Sequence, residues 1–269
     1  MNKKKGFTLV ELLVVIAIIA LLLAIVTPSL RMAREHAQRM ICGTNLRSMG
    51  TGFSVYAEDN DDYLPPTRYT LIGSGESEPS PFRSYWAYSI DASRPYGQHI
   101  RNTWGVGYLY SAQLIESPEV FYCPSTPRTI DSLTGEVFHY DGYHDLSHPW
   151  PWNNQNDRDR RDVRIPYTYL PQAARERDEW GHPAVALRTS QQHSGSTMMT
   201  DLLQSRMVLA HTRGLRSGSG TATGRGVNAL YSDGSVRFRN NAEAFAEELW
   251  SPSPSRHNRN FRAILRLLQ

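Results

Sequence analysis

The chain has 269 residues, enough for a long helix plus one sizeable domain, with 40% hydrophobic residues and a mean hydropathy of −0.48. Its formal charge of +3 rests on Lys3, Lys4 and Lys5, which are the only lysines; beyond them the charged side chains balance near zero and arginine is the only strong base. That excludes reading the basic pI of 8.9 as a nucleic-acid footprint. Chain order begins with an apolar run from Phe7 to Val26, broken only by Thr8 and Glu11. About 20 residues of helix, at roughly 1.5 Å each, match a hydrocarbon layer about 30 Å thick. The three lysines favour the cytoplasmic side, so the remainder is expected outside the cytoplasm. Two details depart from an ordinary span or secretory signal. Glu11 costs about 3 kcal/mol at that depth unless a partner neutralises it, and no small-residue A-x-A site follows the run.

A short basic leader, Gly6, then FTLVE opening a long apolar helix resembles the class III signal of type IV pilins and type II secretion pseudopilins. The resemblance implies that a prepilin peptidase cuts between Gly6 and Phe7 and methylates the new Phe7 amine. Glu11 then becomes the fifth residue of the mature chain, its charge met by that amine on its own chain or on the preceding subunit. The implied partners are the prepilin peptidase, copies of itself or other pseudopilins, an inner-membrane assembly platform and membrane lipid, with no nucleic acid. The alternative is a plain N-terminal anchor, with Glu11 snorkelling or protonated.

Pro28 is expected to kink the helix rather than end it, because the pattern resumes at Leu30, Ala33, Ala37, Ile41, Leu46, Met49, Phe53 and Tyr56. One helix is expected from about Phe7 to about Ala57. Gly43, Gly50 and Gly52 either weaken it or allow close packing against a sheet. Asp59-Asn60-Asp61-Asp62 and Pro65-Pro66 end it. The expected organisation is a leader at 1–6, a transmembrane helix at 7–27, its amphipathic continuation at 28–57 and an extracytoplasmic globular domain at 58–269. Cys42 and Cys123 form a bridge outside the cytoplasm or remain two buried free thiols. Neither has a nearby Cys or His at zinc-ligand spacing, so no metal role is expected for them.

The C-x-x-N-L-R-x-x-G stretch from Cys42 to Gly50, with VFYCPS at 120–125 and GVNALYSDGSVRF at 226–238, resembles a branch of large pseudopilin-like proteins known for a C-terminal H-x9-DG pattern. Here Asp233-Gly234 supplies the DG turn, but Thr223 stands at the histidine position. The turn reading is preferred to a calcium or small-ligand site, since no acidic run supports a calcium loop; no cofactor is otherwise expected.

Along the rest of the chain, residues 67–119 read as short strands and loops, with a brief helix at Gly107–Leu114 and a strand at Glu119–Tyr122. Residues 128–165 read as a loop-like insertion. Strands are expected at Tyr167–Leu170, Thr197–Thr200 and Met207–His211, and a hairpin at 227–238 around Asp233-Gly234. Helical pieces are expected at Ala242–Trp250 and around Phe261, Ile264, Leu265 and Leu268, the last packing on the domain or a membrane surface. The cluster His139, Asp141, His144, Asp145 and His148 reads as a solvated loop rather than a metal site. Ser194 beside His193 has no strand before it and no assigned acid, and no nucleophile elbow, phosphate loop or dinucleotide fingerprint is present. The expected fold is therefore α+β, a pilin-like lollipop whose helix packs on an antiparallel sheet with a variable insertion. The expected function is a structural filament subunit, not an enzyme. The alternative is a pilin-anchored, non-polymerising binding module whose aromatics Tyr143, Trp150 and Trp152 take a carbohydrate or a protein.

Overall fold

The computed structural model describes residues 8–67, 84–90, 98–126, 128, 137–144, 146–152, 162–177, 183–185, 188–192, 194–203, 210–213, 223–224, 226–250, 264–265 and 267–268. The chain divides into two compact units, residues 1–38 and 39–269. Helix α1 (Leu9–Asp59) begins in the first and ends in the second. In the first unit its apolar side chains from Leu9 to Leu30 are exposed, and the helix is long and apolar enough to cross a membrane. Every backbone polar group in such a stretch is satisfied within the helix itself, which is what a lipid interior demands. Pro28 does not end the helix, and Thr27 Oγ1 donates to Leu23 O at 2.6 Å, which occupies the hydroxyl within the apolar run.

In the second unit α1 buries one stripe: Cys42, Leu46, Met49, Gly52, Phe53 and Ala57. The three-to-four-residue spacing points these side chains at one face. Cys42, Leu46, Met49 and Phe53 share a core with Tyr167, Tyr169, Met199 and Leu230, and those last four belong to a four-stranded antiparallel sheet. Its order is β11 (Val236–Arg239), β10 (Val227–Tyr231), β7 (Thr197–Asp201), β4 (Tyr167–Tyr169). Gly50 lies where a Cβ would come within 2.8 Å of Leu230 Cδ1, so its lack of a side chain sets the closeness of helix to sheet. At the helix end Asp61 and Asp62 take positive φ values of 52° and 68°, and the N–H groups of Asn60 and Asp62 both donate to Ala57 O. This matches the termination expected from the Asp-Asn-Asp-Asp run. The Asp62 carboxylate accepts from Ser190 Oγ and Thr189 Oγ1, and these bonds, Ser190 first, hold its pKa below the usual carboxylate value.

A second antiparallel sheet runs β2 (Ile100–Thr103), β1 (Trp86–Ile90), β3 (Asp162–Arg164). Helix α2 (Val106–Ser111) follows β2, close to the brief helix expected there. Two smaller pairs follow among the described residues: β5 (Gln172–Arg177) with β6 (Pro183–Val185), and β8 (Thr212–Arg213) with β9 (Thr223–Gly224).

Four expectations are corrected. Pro118–Phe121 is a 3-10 turn rather than the strand expected over Glu119–Tyr122; Pro118 fixes the first helical φ and Tyr122 N–H closes back on Glu119 O. The stretch from 128 to 165 is not mere decoration. It supplies β3, and its Val137, Phe138, Tyr143 and Trp150 are buried. Burial there is carried by isolated aromatics, which leave no period to detect. Ala210 and His211 sit in a bend, with residues 207–209 outside the described set; the strand follows at β8. Residues 242–250 form two 3-10 turns in place of one helix. The tail packs on the domain: Ile264, Leu265 and Leu268 are buried with Phe245 and Trp250, and Tyr231 donates its hydroxyl to Leu268 O at 2.8 Å.

The start of β10 tolerates no side chain at Gly226. Its φ is +144°, and a Cβ there would lie 2.2 Å from Arg239 O and 2.7 Å from the Phe238 ring. Gly226→Ala is expected to cost about 3 kcal/mol through strain and overpacking, read as a lowered midpoint in thermal unfolding followed by near-ultraviolet circular dichroism.

Candidate functional site

Three places carry the residues singled out from the sequence. The first is the helix start. Thr8 Oγ1 accepts from Glu11 N–H at 3.3 Å, while Glu11 Oε2 accepts from Thr8 N–H at 2.8 Å and from Thr8 Oγ1 at 2.7 Å. This is a reciprocal capping box, which satisfies two of the four free N–H groups of the first turn. The T-x-x-E spacing that announces it stands in the sequence, and sequence reasoning missed it by treating Glu11 only as a charge in lipid. Gly6 and Phe7 lie outside the described residues.

The second place is the centre of the folded body. Cys42 on α1 and Cys123, just past the 3-10 turn, form a disulfide with Cα atoms 5.1 Å apart. Against it lie two polar groups that sequence reasoning did not connect, Asp201 on β7 and His211 just before β8, both buried. His211 Nε2 is 4.0 Å from Cys123 Sγ and 3.4 Å from Asp201 Oδ2. Asn228 on β10 orders the group. Its backbone N–H donates to Asp201 Oδ2 at 2.6 Å, and its Nδ2 lies 3.2 Å from the same oxygen and 3.1 Å from His211 Nε2.

The third place is the DG turn. Gly234 has φ +76°, its N–H donates to Tyr231 O, and Asp233 Oδ1 accepts from Ser235 N–H at 2.8 Å. The bonds from Ser235 hold the Asp233 pKa below its ordinary value. Its charge is used locally, in keeping with the hairpin role. A groove of about 500 Å³ runs beside this turn, between it and Gly50, Phe53 and Glu58 of α1.

Thr223, the residue at the expected histidine position, pairs with Arg213 across the β8–β9 ladder, and Thr212 pairs with Gly224. The DG turn is kept, while the histidine position of the H-x9-DG pattern holds this strand threonine.

The cluster from 139 to 148 does not converge. His144 stacks on Tyr140 with centroids 4.1 Å apart, and His148 stacks on Trp152 at 4.2 Å. Asp141 pairs with Arg128 at 3.2 Å, burial lowers the pKa of His139, and Asp145 lies outside the described residues. Ser194 is described, whereas His193 is not.

Residues 1–27 match the model of the prokaryotic N-terminal methylation motif. The type II secretion system core protein G of Klebsiella pneumoniae is 31% identical over 115 residues, which cover 40% of this chain and 74% of the relative. The chain belongs to the type IV pilin and type II secretion pseudopilin family. The type IV wide pilus major component of Thermus thermophilus is 43% identical to this pseudopilin over 63 residues, 23% of the chain. The core protein G of Escherichia coli is 34% identical over 70 residues, 26% of the chain. The pseudopilin spans about half the length of the Thermus and Escherichia relatives (48% of each). No solved structure matches it significantly. The apolar start of α1 is its membrane anchor.

Proposed function

We propose that the chain is a structural, non-enzymatic subunit of a type II secretion pseudopilus or type IV pilus-like filament. The observation that carries this reading is the helix start: a lipid-length apolar helix whose first turn holds a carboxylate, Glu11, directly behind the Gly6-Phe7 junction. Residues 1–6 are a leader, which a prepilin peptidase removes before methylating Phe7. Residues 7–27 lie in the inner membrane, residues 28–57 continue the helix, and residues 58–269 form the extracytoplasmic body. Copies of the chain or other pseudopilins bundle their apolar helices to escape water, on an inner-membrane assembly platform, and Glu11 sets the stagger by meeting a Phe7 amine. Of the aromatics of the competing binding-module reading, Trp150 and Tyr143 are 1% and 0% exposed and offer no surface to a ligand, whereas Trp152 is half-buried and stacks on His148.

The experiment begins with the mass of the mature N-terminus, expected to be that of methyl-Phe7; a chain that keeps Met1 beside an active prepilin peptidase overturns the reading. The second arm separates pairing from capping. Glu11→Ala removes both, whereas Thr8→Val removes the threonine hydroxyl's part in the cap and leaves the carboxylate. Glu11→Ala is expected to insert in the membrane yet cut recovery in sheared filaments at least tenfold, with Thr8→Val near wild type. Equal filament yields from Glu11→Ala and wild type would remove the stagger role.

A further inference from the structure

We infer that, once the Cys42–Cys123 bond is reduced, the protein holds one thiophilic divalent cation of the zinc class on Cys42 Sγ, Cys123 Sγ, His211 Nε2 and an Asp201 carboxylate oxygen. The ligand atoms of these four residues all lie within 4.8 Å of one another, and all four residues are buried. They come from separate parts of the chain: α1, the segment after the 3-10 turn, β7, and the residue before β8. Two thiolates, an imidazole and a carboxylate are the donor set that zinc takes in closed tetrahedral sites.

The surroundings are built as such a site requires. Asn228 fixes Asp201 by two hydrogen bonds to Oδ2, the kind of outer support that orients a metal ligand. The other oxygen, Asp201 Oδ1, is sealed from solvent with no hydrogen-bond partner. A buried carboxylate oxygen left so is costly, and the oxygen that faces the imidazole is Oδ2, 3.4 Å from His211 Nε2. Asn228 Nδ2, which now lies 3.1 Å from His211 Nε2, also has Asp201 Oδ2 and Arg39 O within reach. It therefore keeps partners when the imidazole lone pair turns to the metal.

The bond and the cation are alternatives, because sulfurs joined to each other carry no thiolate charge. Reduction takes two electrons and two protons from a dithiol, which leaves as its own disulfide; loading the cation then releases the two thiol protons. The same two positions are clamped in both states, by a covalent bond under oxidising conditions and by a metal under reducing ones.

The test uses the full chain in detergent micelles, reduced with a phosphine and titrated with Co²⁺ as the probe. One equivalent is expected to bind with a tetrahedral d–d spectrum and thiolate-to-cobalt charge transfer, Zn²⁺ is expected to displace it, and the oxidised protein is expected to show neither band. Asp201→Asn and His211→Gln should each weaken binding at least tenfold. If reduction alone unfolds the body, Zn²⁺ should restore its near-ultraviolet circular dichroism. The inference is overturned by a reduced protein without the tetrahedral spectrum, by the same spectrum in the oxidised protein, by unchanged affinity in both variants, or by an unfolded reduced protein that Zn²⁺ does not restore.

Discussion

Replacing Trp150 by alanine is expected to lower the stability of the body by about 4 kcal/mol, the middle of the range for emptying a large aromatic site. The indole is 1% exposed and stands at a junction of rings. It stacks on Phe121 at 5.5 Å and meets Tyr110 and Tyr88 edge-on at 4.8 and 5.4 Å. Its Nε1–H donates to the Tyr122 hydroxyl at 3.0 Å, and that hydroxyl donates onward to Arg164 O. Truncation therefore loses apolar burial, three aromatic contacts and one buried hydrogen bond together. For a domain of this size the melting temperature should fall by roughly 10 °C, measured on the full chain in micelles by near-ultraviolet circular dichroism. Trp150→Phe, which keeps a ring but not the donor, should recover about half of the loss. A drop below about 1 kcal/mol in Trp150→Ala would show that the segment from 146 to 152 is not part of the core.

The double variant Cys42→Ala/Cys123→Ala is expected to cost a similar amount. The two cysteines are 81 residues apart, and closing a loop of that length removes roughly 4.5 kcal/mol of unfolded-chain entropy in the simplest treatment. Both cysteines are buried and alanine removes only the sulfur at each, so the loss of the link dominates the cost. The check is the same thermal scan, run beside wild type with and without a phosphine reductant in metal-free buffer. Reduced wild type should melt close to the double variant. The losses at Trp150 and at the cysteine pair should not add, because Phe121, on which the indole stacks, is two residues from Cys123.

What the residues announced depends on how far each signal reaches along the chain. The long helix was legible because its apolar spacing persists over fifty residues, and the β10–β11 hairpin because alternation and an Asp-Gly pair fall within a dozen. Cys42 and Cys123 were legible as a possible pair without any hint of Asp201 beside them, since nothing local in TMMTD marks its carboxylate for burial. The aromatic half of the core came from a stretch without period, where Tyr143 and Trp150 are anchored by tertiary contacts alone. His211 was hidden for the same reason, since its neighbours Cys123 and Asp201 come from distant parts of the chain. At the helix start the T-x-x-E pattern was present, and the cost of a charge in lipid drew attention away from the hydrogen bonds it makes.

Cys42 is the first residue of α1 to be buried. Tension arriving along the helix from its amino end would try to peel it from the sheet, turn by turn. The peeling front meets a covalent link before it reaches Leu46, Met49 or Phe53, so the weaker non-covalent turns behind are shielded from load. A fibre made of such units would sooner slide at its seams than shed their heads.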